Sequence, residues 1–251
     1  MKKRLLTVVM LASALCLFTA CGSSDEEVRG EIVSEAETEA VEEVVEEVDE
    51  EPEVEVDPEA AAELEEALTI EAAEVSLGTV AENVYENSFI GIGCKLDSEW
   101  VFKTEEEILE LNQFSSDLVG DEYKELIQNA PVITDMMATS SNQASNVNIT
   151  IEKLEGVNAL LTPEKYAEIS LDNLTGALES MGLEIASAEI TSVEFAGEER
   201  VAIDIEGTIN GISICEELVI LKASDRMICI TMGRQNTNDF SDVIESFYSL
   251  D

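Results

Sequence analysis

Residues 200–221 read RVAIDIEGTI-NG-ISICEELVIL, and this stretch decides the fold. Asn-Gly between two runs rich in β-branched residues is a strong signal for a β-hairpin with a type I′ turn. A two-residue loop at Asn210-Gly211 places Ile209 opposite Ile212, Ile203 opposite Leu218 and Ile205 opposite Glu216. The hairpin therefore predicts an antiparallel sheet with a fixed register.

The segments on either side extend this hairpin into an α+β domain. Thr162-Pro163 opens a long helix that ends at Gly182, and residues 147–151 and 227–232 read as further strands. A capping box at Thr104 predicts a short helix. The spacing of Phe240, Val243, Ile244 and Phe247 predicts a C-terminal helix. Because residues 218–221 and 227–230 are apolar on both faces, we expect helices to cover both sides of the sheet.

The N-terminus has the pattern of an export signal. Lys2, Lys3 and Arg4 precede an apolar run that is too short to span a bilayer, so residues 1–20 are predicted to be a cleaved signal peptide. The residues around Ala20-Cys21 resemble a lipoprotein cleavage box. This resemblance implies that Cys21 becomes a lipid-bearing N-terminus at the extracytoplasmic face of the cell membrane, with the membrane as partner. The alternative is a secreted protein with a spare cysteine.

Residues 21–78 differ in composition from the rest of the chain. Between positions 25 and 74 there are 23 acidic residues and one basic residue. Such a segment cannot bury enough apolar surface to offset its ordering entropy, so we expect a disordered acidic tether. A helix over 58–75 is the exception, since Asp57 and Pro58 suit its start. The alternatives for residues 58–75 are a stable helix, which could dock on the domain at 79–251, and a transient helix within a disordered arm.

Overall charge excludes several functions. The chain carries a formal net charge of −43, which disfavours binding to nucleic acid and to anionic lipid surfaces. It contains no histidine, which removes histidine-based nucleophile systems and most zinc sites with mixed ligands. We expect no cofactor and no enzymatic activity. A hydrolase that uses paired carboxylates ranks last, because no acidic pair stands out among so many.

One group of carboxylates is singled out by the hairpin register. Asp204 falls opposite Glu217, and Glu206 lies two residues further along the same face. Opposed like charges destabilise a sheet, and oxygen ligands suit calcium or magnesium. A divalent-cation site at Asp204, Glu206 and Glu217 is therefore one interpretation, and a partly screened surface pair is the more economical one.

Cys94, Cys215 and Cys229 fall in predicted strands. Free cysteine is among the most buried residue types, so buried thiols are the first interpretation. A Cys215–Cys229 disulfide between neighbouring strands is the alternative. The single tryptophan, Trp100, is expected in the core rather than on a ligand platform.

The segment from Tyr85 to Gly93, followed by Asp97-Ser98-Glu99-Trp100 and the Thr104 helix, resembles the opening of the PsbP-like / DcrB-like domain family. The sequence is similar to those of lipoproteins of anaerobic Firmicutes that carry such a domain. The resemblance implies a sheet sandwiched by helices and a binding or assembly role with an unidentified extracytoplasmic protein partner. An accessory lipoprotein that binds a solute or a divalent cation is the alternative function.

Overall fold

The computed structural model describes residues 74–114 and 121–250. The predicted signal peptide, Cys21, and nearly all of the predicted tether with its helix at 58–75 lie outside the described residues.

A seven-stranded antiparallel sheet forms the centre of the domain, in the order β4-β5-β6-β10-β9-β8-β7. Its strands, numbered along the chain, are β4 (Trp100–Phe102), β5 (Val132–Ser140), β6 (Ser145–Lys153), β7 (Glu184–Phe195), β8 (Glu198–Ile209), β9 (Ile212–Ala223) and β10 (Arg226–Gln235). A second antiparallel sheet has the order β1-β2-β3-β11. It consists of β1 (Thr79–Ala81), β2 (Val84–Asn87), β3 (Ile92–Lys95) and β11 (Phe247–Ser249).

Helices connect and flank these sheets. They are α1 (Glu105–Leu111), α2 (Asp121–Asn129), α3 (Pro163–Ser180) and the short α4 (Ser241–Ile244), with a 3-10 turn at Gly156–Leu160. The predicted capping box is present at α1, where the Thr104 side chain accepts from the Glu107 N–H. Thr162 caps α3 in the same way by accepting from the Lys165 N–H.

The hairpin that decided the fold has the predicted register. Ile209 lies opposite Ile212, and Ile203 lies opposite Leu218. Asn210 and Gly211 both have positive φ, at 53° and 78°, as a type I′ turn requires. This turn fixes which side chains of β8 and β9 face each side of the sheet.

The two faces of the large sheet are covered differently. On one face, α3 packs its buried residues, such as Ala167 and Leu178, against Ile203, Leu218 and Ile220. On the opposite face lies a second cluster, to which the small sheet contributes four of its buried residues. These are Tyr85, Ile92, Cys94 and Phe247. The prediction of helices on both faces is therefore not confirmed, because a small sheet with α2 and α4 beside it takes the place of a second helical layer.

The predicted C-terminal helix is wrong beyond its first turn. Phe240 and Val243 are buried at α4, but Phe247 belongs to β11 and pairs with Cys94. Its ring lies 4.6 Å from that of Phe195, centroid to centroid. Cys94 lies in a strand as predicted, and that strand, β3, begins at Ile92.

The three cysteines of the domain are buried thiols, as first predicted, and none of the three forms a disulfide. Cys215 belongs to the cluster under the small sheet, and Cys229 belongs to the cluster under α3. The two thiols therefore lie on opposite faces of the sheet. The alternative of a Cys215–Cys229 disulfide is wrong for this reason.

The chain enters the domain before position 79. Val75 is buried in the core, and the Gln128 side chain donates to its carbonyl at 2.9 Å. The Gly78 N–H donates to Asp135 at 2.7 Å. Within the described residues, no helix has the length and apolar character needed to cross a membrane.

Candidate functional site

A cleft of about 640 Å³ opens between the first residues of the domain and β4 with α1. Its volume falls within the roughly 300–1,000 Å³ that is typical of ligand pockets. One wall is formed by residues 77–80 and the other by residues 100–105. Trp100, Phe102, Ile108 and Tyr123 supply apolar and aromatic surface, and Asp135 lies among the lining residues.

Asp135 is placed in the cleft by an irregularity of β5. The pairing between β5 and β6 shifts between Thr134 and Met136, so Asp135 is the extra residue of a β-bulge. The Asn112 side chain bonds both main-chain groups of Thr134 just before it. A bulge leaves one residue unpaired and re-aims its side chain, which here directs a carboxylate inward.

Three donors converge on the buried Asp135 carboxylate. Oδ1 accepts from the Gly78 N–H at 2.7 Å, and Oδ2 accepts from Asn87 Nδ2 at 2.6 Å and from the Tyr85 hydroxyl. Burial raises the pKa of Asp135, and the three hydrogen bonds oppose that shift. Burial, reinforced by the Asp135 charge, also raises the pKa of Tyr85 well above its usual value. The cluster ties together β2, β5 and the incoming chain.

Position 78 has no room for a side chain, which is why glycine is needed there. A Cβ on residue 78 would lie 2.2 Å from the Tyr85 ring, which itself must stay in place to reach Asp135. The main chain can therefore approach the ring only without a side chain. This close approach sets the position of the wall that continues into β1.

The polar side chains of the cleft include carboxylates, threonines and a lysine. Among the described lining residues there is no serine or cysteine, and the sequence has no histidine to act as a base. The charged lining groups are Asp135, Glu82, Glu105 and Lys103. Lys103 already forms a 2.6 Å ion pair with Glu107, so the remaining charge of the cleft lining is acidic.

The three carboxylates singled out from the sequence lie elsewhere, on β8 and β9. Asp204 is opposite Glu217, as predicted, whereas Glu206 is opposite Cys215. Thr191 donates to Asp204 at 3.1 Å, and Asn238 donates to Glu206 at 2.8 Å. In the described part of the chain, no group of three or more histidine, cysteine or acidic side chains is arranged to hold a metal ion.

Burial and the neighbouring Asp204 both affect the ionisation of Glu217. Burial, followed by the charge of Asp204, raises the pKa of Glu217 to about 7. Burial also raises the pKa of Asp204, with Glu189 and Glu206 adding to the shift. A proton on Glu217 therefore relieves the repulsion near neutral pH. The cation site at these residues stays a prediction.

A smaller cavity of about 210 Å³ lies at the edge of the α3 layer. The Tyr166 hydroxyl donates to the buried Glu152 carboxylate there, and the Cys229 thiol contacts the same hydroxyl at 3.8 Å. Pro131, Leu154 and other residues close the cavity. Its volume is below the usual range for ligand pockets, so the larger cleft is the stronger candidate.

The sequence interpretation missed the central residue of the cleft. Asp135 stands within the run VITDMMA at 132–138, where apolar residues surround one acid. A lone carboxylate in an apolar strand must find donors if it is buried, and that was the available signal. Trp100, expected in the core, is 8% exposed and also lines the cleft.

Comparisons with known proteins identify no family. No family model matches the chain, and no curated protein matches it. Similar solved structures include cyanobacterial PsbP (CyanoP) from Synechocystis sp. PCC 6803, with 14% identity and a TM-score of 0.36, covering 70% of this chain and 98% of that chain.

Two further structures are similar at the same level. LpqN, involved in cell envelope biogenesis of Mycobacterium tuberculosis, has 10% identity and a TM-score of 0.36, covering 64% of this chain and 83% of that one. A Bacteroides thetaiotaomicron protein has 8% identity and a TM-score of 0.34, covering 70% of this chain and 49% of that one. TM-scores this low do not establish a shared fold, so the PsbP-like assignment stays a prediction.

Proposed function

We propose that this protein is a non-enzymatic binding or assembly module, held at the extracytoplasmic face of the membrane by a lipid on Cys21. The proposal places its partner in the cleft between residues 77–80 and 100–105. One observation carries the proposal, namely a cleft of about 640 Å³ with the Asp135 carboxylate built into its wall by a β-bulge. The basic residues Lys2, Lys3 and Arg4 before the apolar run, together with the Ala20-Cys21 pair, support export and anchoring at the membrane.

Two equally exposed valines allow a direct test. Val101 lines the cleft, and Val157 lies in the 3-10 turn outside it; both residues are 62% exposed. A photo-cross-linking amino acid replaces one valine or the other in the full chain. Each variant is expressed in cells of the native organism, and the cells are irradiated. We expect discrete adducts from position 101 that are absent from position 157. The absence of adducts at 101, or the same adducts at both positions, would overturn the proposal.

A second candidate is an accessory lipoprotein that binds a divalent cation. The half-buried, opposed carboxylates Asp204 and Glu217 favour it, since a cation would neutralise both. Calcium should then raise the melting temperature of the intact chain but not that of the Asp204→Asn/Glu217→Gln double variant. An equal response of parent and variant would assign any effect to acidic residues elsewhere.

A further inference from the structure

Two open sheet edges border the same cleft. In the described part of the chain, β1 is the end strand of the small sheet and pairs with β2, while β4 is the end strand of the large sheet and pairs with β5. Thr79 and Val80 of β1 and all three residues of β4 line the cleft. An edge strand presents main-chain donors and acceptors that can pair with a further strand.

The pairing of β4 with β5 determines which main-chain groups face outward. The Lys103 N–H donates to the Met137 carbonyl at 2.8 Å, and the Ser141 N–H donates to the Glu99 carbonyl at 2.7 Å. In an antiparallel ladder, hydrogen-bonded and non-bonded pairs alternate along the strand. The odd-numbered residues 99, 101 and 103 therefore bond to β5, and the main-chain groups of the even-numbered residues point to the open edge.

Two even-numbered residues, Trp100 and Phe102, stand at this edge. The Trp100 N–H is used in a turn, where it donates to the Asp97 carbonyl at 3.3 Å. The Phe102 N–H and carbonyl are directed at the open edge of β4. Phe102 is thus the residue through which an added strand would exchange a pair of hydrogen bonds.

The side chains of the two edges are those of a contact surface. Val101 is 62% exposed and Val80 is 43% exposed, although both are apolar. Natural edge strands commonly carry charges or prolines that discourage pairing, whereas these strands place valine there. Exposed apolar residues grouped at an open edge mark a site where another chain binds.

The charge of the cleft selects the chemistry of the occupant. Asp135, Glu82 and Glu105 line it, while the lining lysine, Lys103, is neutralised by Glu107. The chain as a whole has a formal net charge of −43. A partner rich in lysine or arginine would be attracted over a distance and held by the exposed carboxylates of Glu82 and Glu105, whereas an acidic segment, including this chain's own tether, would be repelled.

We propose that the cleft binds an extended, basic segment of a partner polypeptide, which adds as a strand to the open edge of β4. This inference rests on the proposed function, since it names the class of partner for the same cleft. Main-chain hydrogen bonds to Phe102 would supply register, and lysine or arginine side chains would face the carboxylates of the cleft.

The test uses the sole tryptophan as a reporter, because Trp100 lines the cleft. The intact chain, purified in detergent, is titrated with a short peptide of alternating lysine and valine, and Trp100 emission is recorded. The comparison peptide has the same sequence with every main-chain nitrogen methylated, which removes the hydrogen-bond donors of both of its edges. A third peptide replaces lysine by glutamate. We expect methylation to weaken binding about tenfold or more, and the glutamate peptide to leave emission unchanged.

Matched variants of one residue separate backbone from side chain. Phe102→Pro removes the outward N–H, while Phe102→Ala keeps it and loses the same ring. Proline is tolerated at an open edge, and circular dichroism checks that both variants fold. The proline variant should bind the lysine–valine peptide about tenfold more weakly than the alanine variant. Non-specific binding to the acidic residues at 25–74 is the same for the methylated and unmethylated peptides and for both Phe102 variants, so it cancels in these comparisons.

The outcomes distinguish the two proposals. Equal binding of the methylated and unmethylated peptides, or of the glutamate and lysine peptides, would overturn strand addition by a basic segment. If Trp100 emission does not respond to the lysine–valine peptide while cross-links still form at Val101, the inference fails and the proposed function stands. If cross-links at Val101 are absent, the proposed function fails whichever peptide binds.

Discussion

The Tyr85 hydroxyl donates to the carboxylate of Asp135, a residue fifty positions later in the chain and in the other sheet. The same carboxylate accepts hydrogen bonds from the Asn87 side chain and from the Gly78 N–H. One buried acid thereby holds the two sheets and the incoming chain in a fixed arrangement. Because this acid lies in the wall of the cleft, the stability of the domain and the shape of the cleft depend on the same contacts.

Replacing Asp135 by Asn should destabilise the domain by about 2–3 kcal/mol. An amide offers one acceptor oxygen and turns two hydrogens toward groups that are themselves donors, so at least one charge-assisted hydrogen bond is lost. Tyr85→Phe should cost less, about 1–2 kcal/mol, because the other two donors remain. Urea unfolding followed by Trp100 fluorescence measures both. The exposed Asp172→Asn on α3 is the control and should change stability by less than about 0.5 kcal/mol.

Removing the charge of Glu217 should change how stability depends on pH. The pKa of Glu217 is raised from 4.5 to about 7 in the folded chain. Between these values the folded state binds the proton more tightly than the unfolded state, so stability falls as pH rises through this interval and levels off above it. Glu217→Gln should therefore match the parent near pH 4 and exceed it at pH 8 by about 1 kcal/mol, after allowing for the solvent screening of a half-buried group.

Thermal unfolding across this pH range measures the Glu217 effect. Glu125→Gln, at an exposed position on α2, serves as the control and should leave the profile of the parent unchanged. A Glu217→Gln variant with the same pH profile as the parent would contradict the raised pKa.

Two glycine-to-alanine substitutions should change the stability of the domain in opposite directions. A Cβ at Gly207 would lie 2.8 Å from the carbonyl oxygen of Glu184 and 2.9 Å from Leu183, so Gly207→Ala should cost about 1–3 kcal/mol. A Cβ at Gly176, within α3, would meet nothing within 4 Å. Gly176→Ala should therefore stabilise the domain by about 0.5–1 kcal/mol through helix propensity. Chemical denaturation of the two variants side by side tests both, and equal signs would be evidence against this packing.

Lipid attachment should depend on Cys21 alone. Cells fed a clickable palmitate analogue should label the parent chain and the Cys16→Ser variant, because residue 16 belongs to the predicted signal peptide. The Cys21→Ser variant should remain unlabelled at equal expression, as judged by in-gel fluorescence. Label retained by Cys21→Ser would exclude the lipoprotein interpretation.

Local signals predicted those elements that local chemistry determines. Asn210-Gly211 sets the register of β8 and β9, and therefore the opposition of Asp204 and Glu217, because two positive-φ residues admit one tight turn. Thr104 and Thr162 begin helices through hydrogen bonds to residues three positions away. These interactions are contained in a few consecutive residues and can be read from the sequence.

The remaining elements depend on contacts between distant parts of the chain. Phe240, Val243 and Phe247 share a helical spacing, yet Phe247 pairs with Cys94, which lies more than 150 positions earlier. A spacing of three and four residues does not separate one helical turn followed by a strand from a longer helix. Asp135 likewise becomes part of a site only when the bulge in β5 meets Tyr85 and Gly78, which no short pattern specifies.

The attachment of Gly78 to Asp135 has a mechanical consequence. Glu74 and Val75 are bonded to Lys124 and Gln128 of α2, and Gly78 is bonded next, immediately before β1 begins to line the cleft. Tension on the chain ahead of residue 74 is thus borne at the mouth of the cleft and not at the far face of the large sheet. A partner bound in the cleft would lie next to the point where the predicted tether joins the domain. The same few hydrogen bonds would then bear tension on the tether and maintain the wall of the cleft.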